Sequence, residues 1–134
     1  MQQLEVINIL KKDLNFTERS IEKLKKFVEL ILNENKNHNL IAKSTEASIW
    51  DRHILDSAQL VKFIDFKLTS LADLGSGAGF PGIVLAILMK SKNPLFKMIF
   101  YEKSFHKSNF LKSLNLLSHV AFFKNTSLSD ILID

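Results

Sequence analysis

The sequence of 134 residues contains four glycines, and all four, Gly75, Gly77, Gly79 and Gly82, fall within eight positions, beside Pro81. Glycine accepts positive φ and has no Cβ, so a loop built this way turns sharply and lets a bound molecule lie against its backbone. The chemistry this suggests is the capture of a nucleotide-like ligand. Other chemistries lack their residues. There is no cysteine, hence no disulfide scaffold, thiolate zinc site or catalytic thiol. A reducing, cytoplasmic setting is compatible with that. His38, His53, His106 and His119 show no ligand spacing such as H-x-x-x-H, so no metal is expected.

The elements that must position this loop follow from periodicity. Ile21, Leu24, Phe27, Val28, Ile31 and Leu32 recur at helical spacing, with Asn15 or Thr17 as N-cap, and predict a helix over 17–34. A shorter amphipathic helix fits residues 2–12. A third is predicted from Thr45 to Phe63, with Ile49, Trp50, His53, Ile54, Leu60 and Val61 inward, and the polar run Asn33 to Asn39 connects the two. From residue 69 the pattern changes. Leu71 to Leu74 reads as a strand, Pro81 to Met89 as a buried helix, Phe96 to Tyr101 as a strand, Lys103 to Leu117 as a helix and Val120 to Phe123 as a strand. Strands separated by helices imply parallel crossovers, hence an α/β sheet covered on both faces.

Between the first strand and its helix, the loop fits two cofactor classes. Gly75-x-Gly77-x-Gly79, with Asp73 two residues ahead, has the spacing of the S-adenosylmethionine loop in Rossmann-like methyltransferases. The overlapping Gly77-x-Gly79-x-x-Gly82 has that of the NAD-type dinucleotide fingerprint. Glu102, closing the second strand, is placed to accept ribose hydroxyls in either class. Registry favours the first. The strand ends at Leu74, which makes Gly75 the tight-turn glycine, whereas the dinucleotide register starts late and encloses Pro81. A third reading stays open, in which the glycines only permit close strand–helix packing and Asp73 and Glu102 are surface or capping carboxylates.

Three blocks, Asn35 to Leu40, Arg52 to Ser57 and Ala72 to Ile83, strongly resemble in order and spacing the glucose-inhibited division protein B family. These are bacterial small-subunit ribosomal RNA guanine-N7 methyltransferases that use S-adenosylmethionine. The resemblance implies a helical cap (1–67) followed by a partial Rossmann-like methyltransferase sheet in a cofactor-binding half (68–134). It places the methionyl part of the cofactor against Gly75, Gly77 and Phe80, and the ribose on Glu102. The adenine falls beside Ser127 and Leu128, in a stretch that departs from the family pattern by having Thr126 where an arginine is usual. Arg52 belongs to a block that contacts RNA or packs the cap.

The formal net charge is +4, and the basic excess is local. Residues 90–124 carry seven lysines against Glu102 alone, whereas 1–67 are nearly balanced. Such an excess suits ribosomal RNA phosphates, with Lys103 and Lys107 as candidate contacts beside Arg52, although solvated helix faces explain lysines equally well. Only Arg19 and Arg52 offer a planar fork to a phosphate. The apolar run from Phe80 to Met89 is about half of what a membrane span requires, and no signal peptide is apparent, so a cytoplasmic protein without a membrane partner is expected. The implied sheet has strand order 3-2-1-4-5, and the fourth strand is not in this sequence. The expectation is therefore a single domain, incomplete at its C-terminus, with impaired activity. Its unpaired edge at 71–74 invites a complementary C-terminal polypeptide or self-association. An NAD-type oxidoreductase and a non-catalytic RNA- or partner-binding fragment are the alternatives.

Overall fold

A computed structural model describes residues 1–75, 77–114 and 121–124, the last four by backbone alone. Helix α1 (Gln3–Leu14) buries Val6, Ile7, Leu10 and Leu14 and ends where Asn15 turns left-handed at φ 60, a conformation that asparagine tolerates better than most residues. Helix α2 (Glu18–Glu34) starts at Thr17, whose Oγ1 accepts the Ser20 N–H at 3.1 Å. An ion pair between Lys11 and Glu18 joins the two helices. The connector after α2 is organised by one side chain. Asn35 is 1% exposed; its Oδ1 accepts the amides of Leu40 (2.8 Å) and Ile41 (3.1 Å), and its Nδ2 donates to Glu46 Oε1 at 2.6 Å.

The third predicted helix is not continuous. Residues 43–63 form a 3₁₀ turn (Lys43–Ser48), a π-helical turn (Trp50–Leu55), a single α turn, α3 (Asp56–Ala58), and a second 3₁₀ turn (Gln59–Phe63). Side chains compete with the helix ladder at its start: Thr45 Oγ1 donates to the Ala42 carbonyl and Ser48 Oγ to the Thr45 carbonyl. The widened turn that follows points Trp50, Ile54 and Leu55 into the core. Of the predicted inner face, Ile49, Trp50, Ile54 and Val61 are buried, His53 is half-buried and Leu60 is exposed.

The second half follows the expected β-α-β-α-β order. Strands β1 (Ser70–Leu74), β2 (Lys97–Tyr101) and β3 (Ala121–Lys124) form a parallel sheet in the order β1-β2-β3, with Asp73 opposite Phe100 and Leu74 opposite Tyr101. Helix α4 (Gly82–Lys92) links the first two strands, and α5 (Phe105–Ser113) starts at Ser104, whose Oγ accepts the Lys107 N–H. The predicted continuation of α5 to Leu117 lies outside the described residues.

Every residue of α4 from Gly82 to Met89 is buried, as expected of a helix that is apolar all round. It packs on α2, α3 and β2, so a single apolar cluster runs from Val6 to Leu114 through both halves of the chain. Fully burying a large aliphatic side chain contributes about 1.5–3 kcal/mol. Ile83, Ile87, Leu88 and Met89 together therefore match the net stability of a typical domain, and the loop at the head of α4 rests on the firmest part of the core. Among the described residues no helix is long and apolar enough to cross a membrane. Strand β1 pairs with β2 on one side. A groove of about 300 Å³ beside it is lined by Leu60, Phe63, Ile64, Leu71, Ala72 and Leu85, and Phe63 is 86% exposed.

Candidate cofactor site

The four glycines divide into two pairs with different work. Gly75 and Gly77 have φ of 71 and 57, and a Cβ placed on either would meet nothing within 4 Å among the described residues. Their backbone faces open space. At Gly79 a Cβ would stand 2.7 Å from Ile83 Cγ1 and 3.2 Å from Phe27 Cζ, and at Gly82 it would overlap the Asp73 carboxylate and the Phe100 ring. Close packing accounts for Gly82 and, together with a φ of 102, for Gly79, whereas Gly75 and Gly77 are required by their positive φ and leave the space before their backbone uncrowded by the described residues.

Two carboxylates hold this loop. The Gly75 N–H donates to the Tyr101 carbonyl at 2.8 Å and carries the β1–β2 ladder one residue into the turn. Next, Glu102 Oε1 accepts the Gly77 N–H at 2.7 Å while its Oε2 accepts the Ser104 N–H at 2.8 Å. Glu102 therefore ties the glycine loop to the start of α5, with its carboxylate beside the open face. Asp73 lies beneath: its Oδ2 accepts the Gly82 N–H at 3.1 Å, at the head of α4. The capping alternative thus describes Asp73, whereas Glu102 is a bridge between loop and helix.

Burial pushes the Asp73 carboxyl up to about 6, the Gly82 N–H opposing this and the Glu102 charge adding to it. The sign of the consequence follows. From about pH 4 to about 6 the unfolded chain has released this proton and the folded chain still holds it, so stability falls as pH rises through that window and is flat above it. Asp73→Asn removes the titrating group and keeps an acceptor for Gly82. Urea unfolding at pH 4.5 and pH 7 is expected to show a smaller stability loss for the variant than for the wild type; equal losses would exclude this role for Asp73.

Phe80 is clasped by two rings, Phe27 at 5.3 Å and His53 at 5.1 Å, the latter stacked. Burial holds the His53 imidazole below its ordinary value, against the nearby Asp56 charge and with that of Arg52. A mainly neutral ring therefore lies on Phe80, fixed from behind by a 3.0 Å hydrogen bond between Nε2 and Thr45 Oγ1. His38 stacks on His106 at 4.1 Å, which brings the Asn35–Leu40 block onto the first turn of α5. All three sequence blocks thus converge on the loop and its two flanking helices.

The structure brings together Asp73, Gly75, Gly77, Gly79, Phe80 and Glu102. Lys103 is exposed and Lys107 partly so at the entrance to α5, while Arg52 is exposed on the π-helical turn. Ser127 and Leu128 lie outside the described residues. Spacing marks Phe27 only as a core residue of its helix and His38 as a histidine without ligand spacing, and nothing in the sequence ties either of them, or Asn35, to the loop. An asparagine in a polar run reads as a turn, and ring contacts between distant elements leave no local signal. Among the described residues no three His, Asp or Glu side chains gather where they could hold a metal.

Residues 20–125 match the family described as rRNA small subunit methyltransferase G. Curated relatives carry the name ribosomal RNA small subunit methyltransferase G. The chain is 38% identical to that of Pelagibacter ubique over 108 residues, covering 79% of this chain and 51% of the relative. It is 43% identical to that of Cereibacter sphaeroides over 100 residues (75% and 48%) and 49% identical to that of Rickettsia felis over 94 residues (66% and 49%). The chain spans about half the length of the curated relatives it matches.

Proposed function

This chain belongs to the rRNA small subunit methyltransferase G family, and on that premise we propose that it binds S-adenosylmethionine at the Gly75–Gly79 loop and serves methylation of guanine N7 in small-subunit ribosomal RNA. The observation that carries this is the pair of positive-φ glycines, Gly75 and Gly77, facing open space beside the Glu102 carboxylate. A ligand with a ribose diol and an extended polar chain fits that donor and acceptor set. Glu102 takes the ribose hydroxyls. Gly75, Gly77 and Phe80 border the methionyl part, Asp73 and Gly79 support the loop from below, and Ser127 and Leu128 flank the adenine.

When bound, S-adenosylmethionine supplies an electrophilic methyl on its sulfonium. Guanine N7 offers a lone pair and carries no proton, so no general base is called for. What the chain contributes is alignment and exclusion of water. The rigid backing of the loop by α4, Phe27 and His53 supports that role. Arg52, Lys103 and Lys107 are assigned to RNA contact on the strength of charge and exposure. A cytoplasmic setting accords with such a substrate.

The apolar groove beside β1, lined by Leu60, Phe63, Leu71, Ala72 and Met98, is a surface that a partner, a complementary C-terminal polypeptide or a second copy of this chain, would cover. Calorimetric titration with S-adenosylmethionine and, in parallel, with NAD tests the cofactor assignment. Saturable binding of the former alone is expected; binding of NAD alone would overturn it in favour of a dinucleotide enzyme.

A further inference from the structure

At the far end of α4 from the glycine loop lies an open cleft of about 510 Å³, lined by Thr17, Arg19, Ser20, Lys23, Ile87, Lys90 and Ser91. Lys90 stands eight residues beyond Gly82, about 12 Å along the helix at 1.5 Å per residue, so this cleft is distinct from the cofactor site. Three cations converge on it from two helices, and among the described residues no carboxylate is in its walls. The acids at the start of α2 are turned elsewhere, Glu18 to Lys11 and Glu22 to Lys25. Among the described residues Arg19, Lys23 and Lys90 form no ion pair, in contrast to those lysines. The Thr17 and Ser20 hydroxyls, 2.9 Å apart, line one wall, and Ile87 is buried below.

Three like charges gathered in one cleft, with no carboxylate beside them among the described residues, attract an anion. Their proximity registers on Lys23, whose ammonium is held below its ordinary value by burial, then by Arg19 and by Lys90. Arg19 presents the planar, multiply donating group that matches a phosphate, and the two lysines add compact charges. We propose that this cleft is a phosphate-binding exosite that holds the backbone of the RNA substrate away from the methyl-transfer site. The inference rests on the RNA-directed reading above. It adds to that reading a second anchoring point, contributed by α2 and α4 and separate from Arg52, Lys103 and Lys107.

Binding of a short labelled single-stranded RNA, followed by fluorescence anisotropy across a salt series, tests this on the whole chain. Each of Arg19→Ala, Lys23→Ala and Lys90→Ala is expected to weaken binding several-fold at fixed salt and to reduce the slope of log K against log salt by about 0.7, the value for one phosphate contact on a single strand. Lys62→Ala, an exposed lysine outside the cleft, is expected to have a much smaller effect. Unchanged binding in the cleft variants, or an equal effect from Lys62→Ala, would overturn the proposal by showing a diffuse field. Calorimetry with inorganic pyrophosphate separates the two sources of phosphate. Pyrophosphate binding that the triple variant loses while its RNA affinity stays intact would assign the cleft to a free oligophosphate and reject the exosite. S-adenosylmethionine affinity is expected to be unchanged in all these variants. Failure of cofactor binding with intact RNA binding at the cleft would overturn the proposed function and leave the exosite standing.

Discussion

Glu102→Ala is expected to lower S-adenosylmethionine affinity about 10- to 100-fold, because it removes a charged acceptor whose hydrogen bonds contribute about 1.5–3 kcal/mol. The same substitution strips the Gly77 and Ser104 amides of their acceptor, so amide exchange at Gly77 is expected to accelerate even without ligand. Glu102→Gln separates the two effects. It keeps one oxygen for the loop and loses the charge, and it is expected to fall between wild type and alanine in affinity. Titration calorimetry reads the affinities and hydrogen exchange the loop; an alanine variant with wild-type affinity would remove Glu102 from the cofactor site.

The largest loss of stability is expected from Asn35→Ala. Asn35 Oδ1 is an acceptor for two buried amides, Leu40 and Ile41; the Leu40 N–H is shared with the His38 carbonyl at 3.0 Å, so Ile41 is the amide that depends on Asn35. Leaving a buried donor unsatisfied costs about 1–3 kcal/mol, so the variant is expected to lose about 1–3 kcal/mol in urea unfolding. Asn35→Asp keeps the acceptor but places a second carboxylate against Glu46 Oε1, now 2.6 Å from Asn35 Nδ2. It is therefore expected to recover part of the loss at low pH and little at neutral pH. A loss for alanine below about 0.5 kcal/mol, the usual range of surface substitutions, would show that the connector is held by other means.

The contrast between Asn35 and the glycine loop shows which parts of the molecule were legible in the sequence. The α2 stripe, the β-α-β-α-β order and the head of α4 at Pro81 and Gly82 are local patterns, and the structure follows them. The loop was legible because glycine occurs nowhere else in the sequence, yet its spacing alone did not separate the two positions that face open space from the two that serve packing. That distinction depends on Ile83, Phe27, Asp73 and Phe100, which come from four different elements. The segment 43–63 misled for a physical reason: its apolar residues recur roughly as in a helix, but Thr45 and Ser48 divert backbone carbonyls and Trp50 needs a wider turn. Strand registry put Glu102 directly after the second strand, where the structure has it. That it holds Gly77 and Ser104 together is visible only in three dimensions.

The anchoring of the loop from below also sets its limits. A methyl added at Gly82 would displace Asp73 from the head of α4 and press on Phe100, so this glycine is required by the fold whether or not a cofactor binds. Gly77 is different. Among the described residues nothing crowds it, and the Glu102 bond holds its amide. The case for a ligand therefore rests on Gly75, Gly77 and Glu102 together.

The most direct measurement of that case is the amide spectrum of the isotopically labelled chain during titration with S-adenosylmethionine. Saturable shifts are expected, concentrated at Gly75, Gly77, Phe80 and Glu102, with Arg19, Lys23 and Lys90 undisturbed. Shifts confined to the cleft of those three cations, or none at a saturating concentration of cofactor, would contradict it.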